Sequence, residues 1–226
     1  MPREVFVAGQ VLTAAELNVV SDQSVMVFAD SSARGTAIPS PSEGMVTYLE
    51  DTNGVEVYNG SAFTGVGQGS ILQVVSATKT DTYSESLASG VLSSNVVTGL
   101  TASITPSSTS SKILVTVSVP VANSSYFGYG SYVMRRDGTA IGVPDAAGSR
   151  TQLTAQGGSL SQNSVDIATL SQSFLDSPGT TSSITYGISL HNPMSGTATV
   201  YANRSFSDQN NSRFARPIST ITLMEV

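Results

Sequence analysis

Apolar and polar residues alternate with a period of two along most of the chain. Leu100, Ala102 and Ile104 alternate with Thr101, Ser103 and Thr105, and Ile113, Val115, Val117 and Val119 alternate with Leu114, Thr116 and Ser118 until Pro120. Ile184, Tyr186, Ile188 and Leu190 alternate with Thr185, Gly187 and Ser189, and Val200-Tyr201 and Ile218 to Val226 read as late strands. Such alternation puts one set of side chains on a buried face and the other towards solvent or a neighbouring subunit. Arg136-Asp137-Gly138 supplies a hairpin turn between Tyr132-Val133-Met134 and Ala140-Ile141. Many short strands with Ser/Thr/Gly turns predict a mainly β chain, an antiparallel sandwich of jelly-roll type from residue 71 onward.

The first 66 residues have a different texture. Residues 1–12 read as an extended arm, and Thr13-Ala14-Ala15-Glu16 has the form of a capping box. A Thr N-cap with Glu three residues on starts a short helix to about Gln23, with Leu17 and Val20 on one face, the only helix the pattern predicts. Gly44 to Leu49 and Val55 to Tyr58 flank Asn53-Gly54, a strong hairpin signal, so residues 44–63 read as a hairpin closed by Asn59-Gly60 and Phe63. Gly65-Val66-Gly67-Gln68-Gly69-Ser70 reads as a flexible connection. The expected organisation is a module over 1–66, a linker over 67–70 and a sandwich over 71–226.

Composition sharpens this picture. Only 39% of residues are hydrophobic and only 12% charged, the rest of the bulk being mainly Ser, Thr and Gly. A chain with a thin core gains by sharing it, so self-association as a homotrimer is expected. The net charge of −6 offers no cationic footprint for nucleic acid. Cysteine is absent, which excludes disulfides and thiolate metal sites. No stretch approaches the roughly 18 apolar residues of a membrane helix, and no basic-then-apolar leader opens the sequence, so neither membrane insertion nor secretion is expected.

Catalytic constellations are hard to find. The sole histidine, His191, stands in His191-Asn192-Pro193 at a strand end, where a packing or turn role is expected, and no Gly-x-Ser-x-Gly elbow accompanies it. Glu50-Asp51 belongs to the hairpin turn, the other acids are dispersed, and Gly65, Gly67 and Gly69 lack the spacing and lysine of a phosphate loop. No catalytic residue, metal ligand or cofactor is predicted, and the chain is expected not to be an enzyme. Two segments suit recognition. One is the aromatic run Tyr126-Phe127-Gly128-Tyr129-Gly130-Ser131-Tyr132, which reads either as a binding platform or as core and interface filling. The other is Asn203-Arg204 running into a polar loop through Asn210, in which Arg204 can pair with Asp208.

The segment Phe6-Val7-Ala8-Gly9-Gln10-Val11-Leu12-Thr13-Ala14-Ala15-Glu16-Leu17-Asn18 resembles the opening of tail and fibre proteins of tailed bacteriophages. Ile38-Pro39-Ser40-Pro41-Ser42-Glu43-Gly44-Met45-Val46, with the hairpin and Tyr58-Asn59-Gly60-Ser61, is similar to the companion module of those proteins. Ser110 to Val115, Leu175 to Ser182, Tyr201 to Ser205 and Ile221 to Val226 resemble pieces of fibre-tip domains of marine phages. The resemblance implies a virion component assembled in the host cytoplasm, trimeric, with a jelly-roll-like tip. It implies particle docking through Phe6, Val11, Leu12 and Leu17 and contact with other virion proteins of tail, collar or capsid. The head would then bind a host-surface glycan or outer-membrane component. A decorating or cementing subunit of the capsid or collar is the alternative, and a polysaccharide depolymerase is disfavoured because the acids are sparse and no long β-helical repeat exists.

Overall fold

The computed structural model describes residues 11, 13–14, 25–66, 71–125, 130–158 and 165–226. The chain divides into two compact units, Met1–Gly69 and Ser70–Val226. The expected helix over 13–23 lies outside the described residues apart from Thr13 and Ala14.

In the first unit, β1 (Met26–Phe28), β2 (Val46–Leu49), β3 (Gly54–Tyr58) and β4 (Phe63–Gly65) form one four-stranded sheet in that order. β1 pairs with β2 in parallel. A parallel pair needs a crossover, and α1 (Ser31–Ala37) lies in it. This helix corrects the expectation of a single helix at 13–23. Its sequence, SSARGTA, has no apolar stripe and buries no residue. It is held from outside instead. Asp30 caps it by accepting from the Ala33 amide at 2.7 Å, and Arg34 reaches across the sheet to pair with Glu56 over the Phe63 ring. The hairpin also differs in detail from expectation. Of the Asn53-Gly54 pair, Asn53 alone takes a positive φ, of 49°, and Gly54 is already in β3 opposite Leu49.

The second unit is an antiparallel sandwich, as the alternation predicts. One sheet has six strands. β8 (Ile113–Asn123) lies at its centre, with β12 (Ala168–Asp176) along one edge. On the other edge β15 (Ser219–Glu225) pairs with residues 113–118, and β14 (Ala198–Ala202) pairs with 121–123. β5 (Gln73–Lys79) flanks β15, and β6 (Tyr83–Leu87) flanks β14. The second sheet has five strands: β7 (Thr101–Ile104), β13 (Ile184–Leu190), β9 (Gly130–Arg136) and β10 (Thr139–Ile141) in sheet order, with β11 (Ala155–Gly157) also on β9. Ile113, Val115, Val117 and Val119 are fully buried between the sheets with Met134, Tyr186, Ile188, Ile221 and Leu223. Burying each such side chain stabilises by about 1.5–3 kcal/mol.

Two strand readings need correction. β8 does not stop at Pro120 but runs through it to Asn123. Pro120 falls where that edge changes partner, after β15 ends at Ser118 and before β14 begins at Val121. Its carbonyl accepts from the Asn203 amide at 2.9 Å, and the N–H that proline lacks is not required there. In β13, Gly187 and Ser189 are buried rather than solvent-facing. Residues 91–97 run beside β13, with Ser93 and Val97 donating to the Leu190 and Ile188 carbonyls, and Val96 covers Gly187 so closely that a Cβ there would meet it at 2.9 Å.

Candidate recognition surface

Of the residues expected to dock the particle, Phe6, Leu12 and Leu17 lie outside the described residues, and Val11 is 89% exposed. The aromatic candidates Tyr126, Phe127 and Tyr129 also lie outside them. They are bounded by described positions that are tightly held. Asn123 is buried and accepts from the Ser125 amide, and Gly130 sits so near Val121 that a Cβ would fall 2.0 Å from its Cγ2.

The third group, Asn203, Arg204 and Asn210, belongs to the connection between β14 and β15, and the structure separates its members. Asn203 is fully buried and has a left-handed φ of 62°. Its side-chain NH₂ donates to the Lys79 and Asp81 carbonyls, both at 2.9 Å, and its Oδ1 accepts from Ser219 at 2.5 Å. Asn203 therefore pins β5 to the start of β15 and presents no surface to a ligand. Arg204 is partly exposed and braced: its guanidinium lies 4.6 Å over the Tyr201 ring, donates to the Ser205 and Phe206 carbonyls and approaches Asp208 at 3.8 Å. Asp208 is bound more tightly by Arg216, whose Nε donates at 2.8 Å and whose NH2 nitrogen also bonds to it.

Asn210 is exposed at the loop tip. With Gln209, Asn211, Asp208 and Arg216 it lines an open recess of about 310 Å³. Asn211 Oδ1 accepts from the Arg213 amide at 3.0 Å and its NH₂ donates to Gln209 Oε1 at 3.5 Å, which fixes the turn, and Gln209, Asn210 and Asn211 are all exposed. Amide donors and acceptors beside a neutralised guanidinium suit a hydroxyl-rich ligand, since they offer paired hydrogen bonds and no net charge. A second recess, of about 390 Å³, is lined by Gly142, Pro144, Leu153, Gln172 and Phe174. Its signal in the sequence is slight: one phenylalanine in a strand and a Gly-Val-Pro turn.

The groups with chemical potential are engaged in structure. His191 is 4% exposed; its Nε2 faces the Gly90 carbonyl at 3.2 Å and its Nδ1 meets the buried Ser131 hydroxyl at 2.9 Å. Burial depresses its pKa below the ordinary value of 6.5. Its neighbour Asn192 is buried and ties the Leu87, Ala88 and Gly196 carbonyls together. Glu50 and Asp51 lie exposed in the β2–β3 turn. Asp176 takes a two-oxygen contact from Arg136 at 3.0 and 2.9 Å and a 2.7 Å bond from Tyr186, joining the two sheets. Glu225 is buried and accepts from Ser107 Oγ at 2.5 Å and the Ser107 amide at 2.6 Å, bonds that hold its carboxyl below the usual range. These last two acids were invisible as a pattern because their partners Arg136 and Ser107 lie 40 and 118 residues away. Among the described residues no three His, Asp or Glu side chains gather where they could hold a metal, and no helix is long and apolar enough to cross a membrane.

No family model matches the chain, and no curated protein does. Among solved structures, a chain of the infectious bursal disease virus Gx strain overlaps 75% of this chain and 40% of its own length, at 14% identity and a TM-score of 0.34. A chain of the Gt strain overlaps 88% of this one and 54% of its own, at 13% identity and a TM-score of 0.37. This chain spans about half the length of those chains or less. At such TM-scores the overlaps carry no argument about its fold or role.

Proposed function

We propose that the chain is a structural subunit of a phage particle, a short fibre or spike whose first unit docks on the particle while the sandwich forms the head of a homotrimer. The head binds a host-surface glycan or outer-membrane component and turns nothing over. The observation that carries this reading is the division of labour within the chain. The residues that resemble phage docking segments all belong to the small first unit, and the second is a sandwich whose buried Asp176, Glu225 and His191 are spent on internal bonds. Amide chemistry is open to solvent at the Gln209 to Asn211 tip. Such contacts are individually weak, and several copies per particle raise avidity by about 10²–10⁴ where geometry allows.

The test is to incubate the full chain with cells of the host and with polysaccharide purified from their envelope. Retention on cells without release of oligosaccharide is the expected result. Release that disappears in a His191→Ala or Asp208→Ala variant overturns the non-enzymatic reading, and absence of any cell binding favours a decorating subunit without a receptor role.

A further inference from the structure

The register of the six-stranded sheet arranges its outer face in rows. Val74, Met224, Leu114 and Leu175 lie directly opposite one another on β5, β15, β8 and β12, and so form one apolar row across four strands. Val74 and Leu175, at the two ends, are 56% and 47% exposed. The next row is Ser76, Thr222, Thr116 and Ser173, and the third is Thr78, Thr220, Ser118 and Ser171. No charged residue occurs in the three rows. Beyond the apolar row, Ile71, Leu72 and Val226 are 52%, 54% and 39% exposed, and the exposed Lys112 pairs with Val226 there.

We propose that this face is where copies of the chain pack against one another, apolar row to apolar row, to build the oligomer of the proposed head. The inference rests on the trimeric reading above and adds to it the surface. Three features favour a second copy as the occupant. The first is charge: each copy carries −6, so copies repel except where they meet through a surface free of acids, and the three rows carry no charge, with only the cation Lys112 exposed at their margin. The five-stranded sheet contrasts with it, since Arg135 lies across its outer face, bonded to Ser189 and to the Ser93 carbonyl.

The second feature is polar satisfaction. Ser76 and Thr222 are 3.2 Å apart, Thr116 and Ser173 3.0 Å, and Ser171 donates to Ser118 at 3.1 Å. Six of the eight hydroxyls in the two polar rows are thus paired within one copy and can be covered without being stranded, Thr78 and Thr220 being the two that are not. The third is extent. Four strands about 4.8 Å apart and three rows about 6.8 Å apart cover roughly 400 Å², half of the roughly 800 Å² per partner of a standard interface. Ile71, Leu72 and Val226 widen the apolar end further.

The experiment compares the full chain with Val74→Asp and Leu175→Asp by sedimentation velocity at micromolar concentration. A control, Ser103→Asp, places the same charge at an exposed site on the five-stranded sheet. Wild type and control should sediment as one oligomer. Each face variant should dissociate with a constant raised about 100-fold or more, because an unpaired carboxylate would be buried between copies. Since the chain has no cysteine, Ser173→Cys and Ser103→Cys each introduce a single thiol. Iodoacetamide should alkylate the first at least about tenfold more slowly than the second, because the interface excludes reagent. Assembly that survives both face variants, with equal alkylation rates, overturns this surface and leaves the trimer standing. A monomeric wild type overturns both.

Discussion

Replacing Asn203 with alanine separates a structural residue from a receptor contact. The substitution removes three hydrogen bonds, at 2.9, 2.9 and 2.5 Å, from a side chain with no exposed surface. It strands the Lys79 carbonyl, the partly exposed Asp81 carbonyl and the Ser219 hydroxyl. At about 1–3 kcal/mol per buried group left without a partner, discounted for the exposure at Asp81, the loss is about 3–5 kcal/mol. Holding alanine at a φ of 62° adds about 1 kcal/mol, which Asn203→Gly recovers. Against a typical total of about 5–15 kcal/mol this is a large fraction. Asn203→Asp should be as damaging at neutral pH, since it sets a carboxylate oxygen where two carbonyls now accept protons from the amide. Urea unfolding at one fixed protein concentration measures all three variants. An alanine variant within about 0.5 kcal/mol of wild type would refute the reasoning, because that is the range of exposed positions.

Acid should weaken the head in two stages. His191 is a base whose folded pKa is depressed by burial, so its contribution is complete above its unfolded value of 6.5 and declines as pH falls below it. Glu225 is an acid whose folded pKa is depressed by Ser107, so its contribution is complete above 4.5 and is lost as pH falls through the lower folded value. Thermal unfolding against pH should show both declines, the first flattened by His191→Gln and the second by Glu225→Gln. Asp176→Ala should cost about 2–4 kcal/mol, less than a fully buried pair because Arg136 keeps 30% of its side-chain exposure, and Tyr186→Phe about 1–2 kcal/mol. Their double mutant should lose less than the sum, which denaturant titration of the four proteins would check.

The sandwich core was legible because its signal is local. Ile113 to Val119 alternate within seven residues, and the structure buries the inward set completely. Pro120 misled for a local reason too: within one strand a proline reads as an end. Only the change of partner on that edge, from β15 to β14, shows why it is tolerated. Asn203 looked like a loop contact because Asn-Arg-Ser after a strand resembles a turn. Its burial depends on Lys79 and Asp81, more than 120 residues earlier. The helix at Ser31–Ala37 left no periodic trace because a cap and one arginine hold it, not an apolar face. The rows on the outer face need the register of four strands from residues 74, 114, 175 and 224, which no single stretch of sequence contains.

The central claim is that this chain is a particle component with its sandwich directed outward. A cryo-electron microscopy map of purified particles of the phage proposed to carry it tests this most directly. The account predicts three-fold density in which the residue 1–66 module abuts the particle and the 71–226 sandwich projects from it. Particles that lack the chain, or a sandwich that lies flush against the shell, would contradict it.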